Sequence, residues 1–506
     1  MQIGSAVKCA LTTALAVTIV LSTKEAGANG RFPRGQQFYE FPSDRNHLLL
    51  AATYGLVTSR DGGKNWHHIC ETAFTFFPPP PEAEFSGDPL VGIMDDESLL
   101  LGAQSRITKS TDGACDWTKS FEEADTVVDD IAVAPSDRKT AVALVRFAIQ
   151  TPMVSRVYRT TDRGATWTAI GSPITNMVVG YTIDVDPKDP AHLMVTGVTS
   201  YDPMEESGIF LSSTNNGMTW ASSPIPKTNI EAGPYIAAVH PTDPNKIFVR
   251  TDEWHENDVG GHDARDALLY SKDGGKTWTE LLRLIGPDGP GGKLFGFALS
   301  PDGATVLAGY GDPIDGSGRT VDRTLTGVYK SSGPDYSFGT TPTPLFSDLV
   351  SCLSWTPNGI YVCASPDGQI PYISRANDIS SLNAAGLTKI MEMNKMKGEP
   401  PCCAGRSVTT CDWPSVACLR FKVCDDASTD PPPGPDAAVC MPEGGAGGSA
   451  GSGGATTGGT GGGDDGCKCR MAATAHGRSR PALGALLALA GVSGWRRSRR
   501  RQARAA

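Results

Sequence analysis

The 506-residue chain lacks three features that would each indicate a class of function. It has no basic excess: residues 29–469 contain 34 basic and 54 acidic residues, and such an acidic surface disfavours nucleic-acid binding. It has no C-x-x-C pair, and no histidine lies near its cysteine cluster at 402–440, which argues against a zinc site there. Its C-terminal apolar stretch, 482–495, is shorter than the roughly 20 residues that a membrane-spanning helix prefers. What the chain repeats indicates its fold, and what interrupts the repeats indicates where function lies.

Five copies of one short motif, S/T-x-D-x-G-x-T-W, recur with small variations. Their tryptophans are 51, 50, 53 and 58 residues apart. A period near 50 residues is typical of a supersecondary unit that stacks on its neighbours, and this spacing fits a four-stranded propeller blade with its loops. The copies span residues 59–66, 110–117, 160–167, 213–220 and 271–278.

Each motif makes physical sense as a tight turn between two strands. Its Asp carboxylate can accept backbone N–H groups of its own turn. Glycine at the fifth position supplies a positive φ, and the tryptophan buries its ring between blades while its N–H remains a polar handle. We therefore predict a structural role for Asp61, Asp112, Asp162, Asp273, Trp66, Trp117, Trp167, Trp220 and Trp278.

This motif resembles the Asp box, or BNR repeat, of sialidases and similar propellers, in which the box lies away from the active site. Each box follows an apolar strand, a P-x-D turn and a second apolar strand, as in 183–190, and two weaker units, 297–332 and 352–374, follow the fifth box. We predict an all-β fold: a single propeller of seven four-stranded blades, with six or eight as alternatives, plus a small Cys-rich module and a disordered Gly-rich linker.

Composition divides the chain into five segments. Lys8 and the apolar run that follows are typical of a signal peptide, and the Gly-rich stretch is typical of a flexible linker. The predicted segments are a signal peptide at 1–28, the propeller at 29–390, a Cys-rich disulfide module at 391–441, a Gly/Ser/Thr linker at 442–466, and a sorting tail with a short apolar segment and an Arg cluster at 467–506.

The tail resembles the MYXO-CTERM sorting signal of myxobacterial surface proteins. Cys467 and Cys469 precede an apolar stretch and a cluster of arginines in the order of that signal. The resemblance implies an exported protein at the cell surface or outer membrane of a myxobacterium, sorted or lipid-anchored at one of these cysteines. A plain membrane anchor is the alternative, and it also makes the membrane a partner through the tail.

The ten cysteines between the two ends suggest disulfides, because their number is even and the chain is predicted to be exported. Counting outward from the turn at 356–359 places Cys352 opposite Cys363 at about 5 Å, within disulfide range. Cys70 and Cys115 remain as a second candidate pair. The other six cysteines cluster in 402–440, a segment too short for a sizeable core without such cross-links.

The candidate binding face lies opposite the Asp boxes. In a four-stranded blade the A–B and C–D turns share one face, so the B–C connections open on the other. Three consecutive units have long B–C insertions, at 201–207, 252–266 and 311–324, and loops on a rigid scaffold commonly bear function. The candidate residues there are Tyr201, Trp254, His255, Glu256, Asp258, Asp263, Asp315, Arg319 and Arg323.

Aromatic and carboxylate side chains in these insertions suit a carbohydrate site. Solvated loops without a ligand are the alternative. No cofactor is predicted, although a divalent cation would find ligands among His255, Glu256, Asp258, His262 and Asp263.

The resemblance to sialidases implies an arginine trio, a Tyr–Glu pair, an Asp acid and an initial Phe-Arg-Ile-Pro-like segment. Residues 31–34 read Arg-Phe-Pro-Arg, which has part of that composition but not its order. The chain also resembles sortilin-type and photosystem-assembly-type propellers, which bind proteins. We predict a surface-tethered propeller that binds a carbohydrate or protein partner, not nucleic acid; a sialidase-like surface glycoside hydrolase is the alternative. No catalytic residue is assigned.

Overall fold

Seven β-sheets follow one another along the chain and form the blades of a propeller. The computed structural model describes residues 35–53, 55–70, 74, 89–147, 153–256, 262–287, 290–312, 319–365 and 370–397. The predicted signal peptide, linker and tail, and the cysteines of the module, lie outside these residues. Among the described residues, no helix has the length and apolarity needed to cross a membrane.

In each of the first four blades, four consecutive strands pair antiparallel in chain order. Blade 1 contains β1 (Gly35–Glu40), β2 (Leu48–Ala52), β3 (Gly55–Ser59) and β4 (His67–Cys70). Blade 2 contains β5 (Leu90–Ile93), β6 (Leu99–Ala103), β7 (Arg106–Ser110) and β8 (Thr118–Glu122). Blade 3 contains β9 (Thr126–Val133), β10 (Ala141–Phe147), β11 (Val154–Thr160) and β12 (Thr168–Ile174). Blade 4 contains β13 (Val179–Val185), β14 (Leu193–Val198), β15 (Gly208–Ser213) and β16 (Ala221–Pro224).

Blades 5 and 6 depart from the regular four-stranded pattern, whereas blade 7 follows it. Blade 5 contains β17 (Ala232–Val239), β18 (Ile247–Glu256), β19 (His262–Ala264), β20 (Ala267–Ser271) and β21 (Thr279–Arg283). Blade 6 contains β22 (Lys293–Leu299), β23 (Thr305–Gly311), β24 (Arg319–Thr320), the 3₁₀ turn η1 (Arg323–Leu325) and β25 (Gly327–Ser332). Blade 7 contains β26 (Val350–Thr356), β27 (Gly359–Ala364), β28 (Tyr372–Ala376) and β29 (Thr388–Glu392), followed by η2 (Met393–Lys395).

The all-β, seven-bladed prediction is confirmed, with one difference in blade 6. Its sheet has three strands, β22, β23 and β25, and only a single bridge between Val328 and Phe346 lies at the fourth position. Pro342 and Pro344 immediately precede this bridge. Because proline has no N–H to donate, this segment cannot extend the ladder as the other outer strands do.

The Asp boxes form the C–D turns of blades 1 to 5. In the first box Asp61 Oδ1 accepts the N–H groups of Lys64 and Asn65, both at 2.9 Å, and Ser59 Oγ donates to the same oxygen. The indole N–H of Trp66 donates to the carbonyl of Ile390, at 2.9 Å, and so links blade 1 to blade 7. The box therefore closes its own turn and also joins adjacent blades.

Two consecutive positions of each box have left-handed backbone, whereas the sequence predicts only one. The fifth position has φ near +80° in each copy, including Ala114 at 75°. The fourth position is also left-handed, with φ of 59° at Arg163 and 58° at Asn216. Asparagine enters this region more readily than most residues, whereas arginine and alanine do so at a cost.

We expect Asp273→Ala to lower the free energy of unfolding by about 1–3 kcal/mol, because the turn loses its acceptor. Asp273 accepts the backbone N–H and the hydroxyl of Thr277, at 2.9 and 2.6 Å. Thermal or denaturant unfolding measures the change. Asp273→Asn is the matched control and should lose less, because Asn215 accepts the N–H of Thr219 in the fourth box. Loss of ligand binding without any loss of stability would contradict a purely structural role.

Blades 1 and 7 pack on each other through a shared apolar cluster that includes a disulfide. Phe38 stacks on Tyr361 with ring centroids 4.1 Å apart, beside Cys352 and Cys363. The two cysteines are directly opposite in the β26–β27 register and form a disulfide with a Cα–Cα distance of 4.8 Å. This is the register that the turn at 356–359 predicts.

Candidate functional site

The innermost strands of the blades surround a central cavity of about 780 Å³. Its lining comes mainly from β1, β5, β9, β13 and β17, with contributions from β22 and β26. Such a cavity is of the size that binds small molecules or a few sugar units. A few charged and aromatic side chains set the chemistry of this cavity.

A β-bulge shifts the register in six of the seven innermost strands. One residue of the inner strand has no partner at each bulge, and a bulge re-aims the side chain at that point. Five of these unpaired residues line the cavity: Gln36, Asp129, Tyr181, Ala237 and Phe295. The bulges therefore provide much of the lining of the cavity.

Asp129, at the bulge of β9, is held by an arginine of the next strand. Arg146 Nε lies 3.2 and 3.1 Å from the two carboxylate oxygens, and its Nη2 donates to Oδ1 at 2.9 Å. Burial raises the pKa of Asp129 to about 6, while the hydrogen bonds and charge of Arg146 act in the opposite direction. A bidentate pair of this kind fixes the carboxylate in one orientation.

Two further carboxyl groups, those of Asp130 and Asp184, line the same cavity. Asp130 Oδ2 accepts the N–H of Ile183 at 2.9 Å, which joins β9 to β13, and burial raises the pKa of Asp130 to about 8. Asp184 accepts the N–H of Val185 at 2.8 Å, and burial raises its pKa to about 6. The cavity therefore contains carboxyl groups that titrate near neutral pH.

The other side of the cavity is aromatic and cationic. Tyr181 and Tyr235 have ring centroids 4.8 Å apart, and the guanidinium carbon of Arg250 lies 4.8 Å from the centre of the Tyr235 ring. Tyr235 and Arg250 are cross-strand partners in β17 and β18. Arg146 and Arg250 are the two arginines among the described residues that line the cavity.

The three long insertions connect the second and third strands of blades 4, 5 and 6, so they emerge on the face opposite the Asp boxes. Those of blades 5 and 6 meet, because β19 pairs parallel with β24. The insertion of blade 5 is partly strand, since β18 continues to Glu256 and pairs with β19. The blade 4 loop is held from the start of blade 5, where Asn229 donates to the carbonyl of Pro203 at 2.6 Å.

The candidate binding-face residues of the three insertions, called the rim below, have different surroundings. Tyr201 is 53% exposed, its hydroxyl lies 3.2 Å from the carbonyl oxygen of Val178, and it interacts electrostatically with Arg146. Asp263 is buried, and Arg323 is exposed and pairs with Asp312 at 2.7 Å.

The side chains of the other candidate residues are not described. The structure describes only the backbone of Trp254, His255, Glu256 and Arg319, while Asp258 and Asp315 lie outside the described residues. A rim formed by these side chains stays a prediction.

A buried ion cluster supports the junction of blades 5 and 6. Lys293, 2% exposed, donates to Asp266, 0% exposed, at 2.8 Å and also pairs with Asp252. Asp266 accepts the N–H groups of Glu253 and Leu294 as well, at 2.7 and 2.8 Å. Burial raises the pKa of Asp266 to about 6, and the charge of Lys293 opposes this shift.

The described residues test the metal and cysteine predictions only in part. In the described ranges no group of three or more His, Cys, Asp or Glu side chains is placed to hold a metal ion. His255, Glu256, Asp258 and His262 have no described side chains, so the cation hypothesis stays untested. Cys115 is disulfide-bonded, whereas the side chain of Cys70 lies outside the described part, and their pairing stays a prediction.

A match to one protein family agrees with the predicted repeats. The BNR/Asp-box repeat family matches residues 269–280, which include the whole fifth box. The chain is 30% identical over 219 residues to a xyloglucanase of Paenibacillus sp., a match covering 38% of this chain and 20% of that protein. It thus spans about a fifth of this relative's length.

Two solved structures with similar folds are GH74 enzymes. That of Niastella koreensis has 17% identity and a TM-score of 0.36, over 70% of this chain and 65% of that one. The GH74 xyloglucanase of Xanthomonas campestris has 16% identity and a TM-score of 0.31, over 74% and 66%. The chain is a seven-bladed propeller with BNR/Asp-box repeats.

Proposed function

We propose that this chain is a glycoside hydrolase whose polysaccharide substrate binds in the central cavity. The observation that supports this most directly is the presence of Asp129 and Asp184 in that cavity, on the adjacent strands β9 and β13. Hydrolysis of a glycosidic bond commonly uses two carboxyl groups, one as acid and one as nucleophile or base. The sequence similarity to a xyloglucanase supports a polysaccharide substrate.

The surroundings of the two carboxyl groups suggest their roles. Asp184 would be the acid, because burial raises its pKa to about 6 and thus favours the protonated form. Asp129 would be the nucleophile or base, because Arg146 orients its carboxylate and favours the charged form. Asp130 would be a positioning residue, since it accepts the N–H groups of Ile131 and Ile183 and so fixes both strands.

Tyr201 would extend the site from the cavity to the rim. Its hydroxyl is anchored while more than half of the residue is exposed, which suits an aromatic platform for a sugar ring. The insertions of blades 5 and 6 would continue this platform around the rim. Export and tethering through the tail belong to the same proposal, since a polysaccharide is an extracellular substrate.

A binding protein without hydrolytic activity is the second candidate function. The observation that favours it is the bidentate Arg146–Asp129 pair, because a carboxylate engaged in this way is less available for attack. The sialidase-like version is a narrower form of the hydrolase proposal, and it would use Arg146 and Arg250 together for the substrate carboxylate.

The decisive experiment measures release of reducing ends from a panel of polysaccharides by the purified full chain. Xyloglucan should be included first, together with other neutral and acidic polysaccharides and a fluorogenic sialoside. Hydrolysis of at least one polysaccharide is the expected result. Binding of a polysaccharide without hydrolysis, measured by calorimetry on the same sample, would favour the second candidate; neither binding nor hydrolysis would overturn both.

A further inference from the structure

Arg250 is a charged group in the cavity that the described structure does not neutralise. Its guanidinium stacks on Tyr235 and lines the cavity, and it makes no hydrogen bond or ion pair with the side chains that the structure describes. By contrast, Arg146 pairs with Asp129 and Arg283 with Glu253. The donors of Arg250 are therefore available to a ligand.

The position of Arg250 is fixed before any ligand binds. It lies directly across from Tyr235 in the β17–β18 register, and the ring of Tyr181 lies 4.8 Å from that of Tyr235. A guanidinium held over an aromatic ring retains its planar set of donors, which matches the geometry of a carboxylate or sulfate. Little rotamer entropy is then lost on binding.

The carboxyl groups of the cavity do not pair with Arg250, because each of them is bound elsewhere. The carboxylate of Asp129 is bound to Arg146, and Asp130 Oδ1 and Oδ2 accept backbone N–H groups of Ile131 and Ile183. Asp184 Oδ1 accepts the N–H of Val185, so each of the three carboxyl groups has a partner other than Arg250.

We propose that Arg250, stacked on Tyr235, binds the anionic group of an acidic sugar, either the carboxylate of a uronic acid or a sulfate. The substrate class is then an acidic polysaccharide. This inference rests on the proposed glycan-directed function, although it requires binding only and not hydrolysis.

The test compares two ligands that differ in one group. Calorimetry on the full chain would use a glucuronate-containing xylo-oligosaccharide and the same oligosaccharide with its carboxyl group reduced to an alcohol. Because a charge-assisted hydrogen bond contributes about 1.5–3 kcal/mol, the acidic ligand should bind roughly 10- to 100-fold more tightly. Arg250→Gln should abolish this preference, and Arg250→Lys should retain part of it.

Arg156→Gln is the matched control, because Arg156 also lies over an aromatic ring, that of Phe147, but is not among the cavity-lining residues. It should keep the full preference for the acidic ligand. A sulfated xylo-oligosaccharide as a third ligand distinguishes the two anions: tighter binding of it would identify sulfate, and weaker binding would identify the carboxylate.

Equal binding of the acidic and reduced ligands would overturn the proposal, as would an undiminished preference in Arg250→Gln or no binding of any of the three ligands. An Arg250-dependent preference in a protein that hydrolyses nothing would support this inference and contradict only the hydrolase proposal. Hydrolysis of neutral xyloglucan together with equal binding of the acidic and reduced ligands would contradict this inference and support only the hydrolase proposal.

Discussion

Replacing Asp184 by asparagine should lower the rate of polysaccharide hydrolysis by about 10²- to 10⁴-fold, the usual contribution of a general acid. Asparagine keeps the size of the side chain and an oxygen for the N–H of Val185, but it has no proton to give to the leaving group. Single-turnover hydrolysis of the best polysaccharide from the panel measures the change. Unchanged turnover would remove Asp184 from the catalytic role.

The pH dependence of hydrolysis gives an independent check. The acid must be protonated, so activity should fall as pH rises above about 6, the pKa of Asp184. The base or nucleophile must be charged, so activity should also fall below about 6, the pKa of Asp129. Asp129→Asn should therefore be as inactive as Asp184→Asn. Asp125→Asn is the matched control, because Asp125 is exposed, immediately precedes β9 and does not line the cavity; it should leave the profile unchanged.

The blades were predictable because their signal is local. Each Asp box places its turn residues at fixed offsets, and the contacts of Asp61 with residues 64 and 65 lie within that one turn. The pairing of Cys352 with Cys363 was predictable for the same reason, since a short turn determines the register of its hairpin. Blade 6 was harder, because its outer segment lacks both the box and a continuous ladder.

The cavity was not predictable to the same degree. Asp129, Asp130 and Asp184 lie inside otherwise apolar strands, and strict alternation would give no reason for Asp129 and Asp130 both to line one cavity. A bulge changes the alternation at one residue and has no strong signature in a single sequence. The available hint was the interruption of two apolar strands by carboxylates, and sequence reasoning instead favoured the longer and more polar loops.

Replacing Lys293 by methionine should lower the free energy of unfolding by about 3–5 kcal/mol, because it leaves the buried carboxylate of Asp266 without its cation. Methionine fills a similar volume, so the loss would come from the charge and not from a cavity. The folded-state pKa of Asp266 is already raised above its ordinary value, and removing the cation should raise it further. Stability of the variant should then fall as pH rises from about 4 through that raised pKa, and denaturant unfolding at several pH values measures this.

The difference between wild type and Lys293→Met should therefore be largest near pH 8 and smaller near pH 5, where Asp266 can bind a proton in the folded variant. Lys119→Met is the matched control: Lys119 pairs with Glu122 at 2.8 Å, but its side chain is 59% exposed, and such surface pairs contribute only about 0–1 kcal/mol. A pH-independent loss in Lys293→Met would show that Lys293 stabilises the blade 5–6 junction by packing alone. A loss confined to Lys293→Met and growing with pH would show that its charge, not its volume, keeps Asp266 ionised beneath the insertions of both blades.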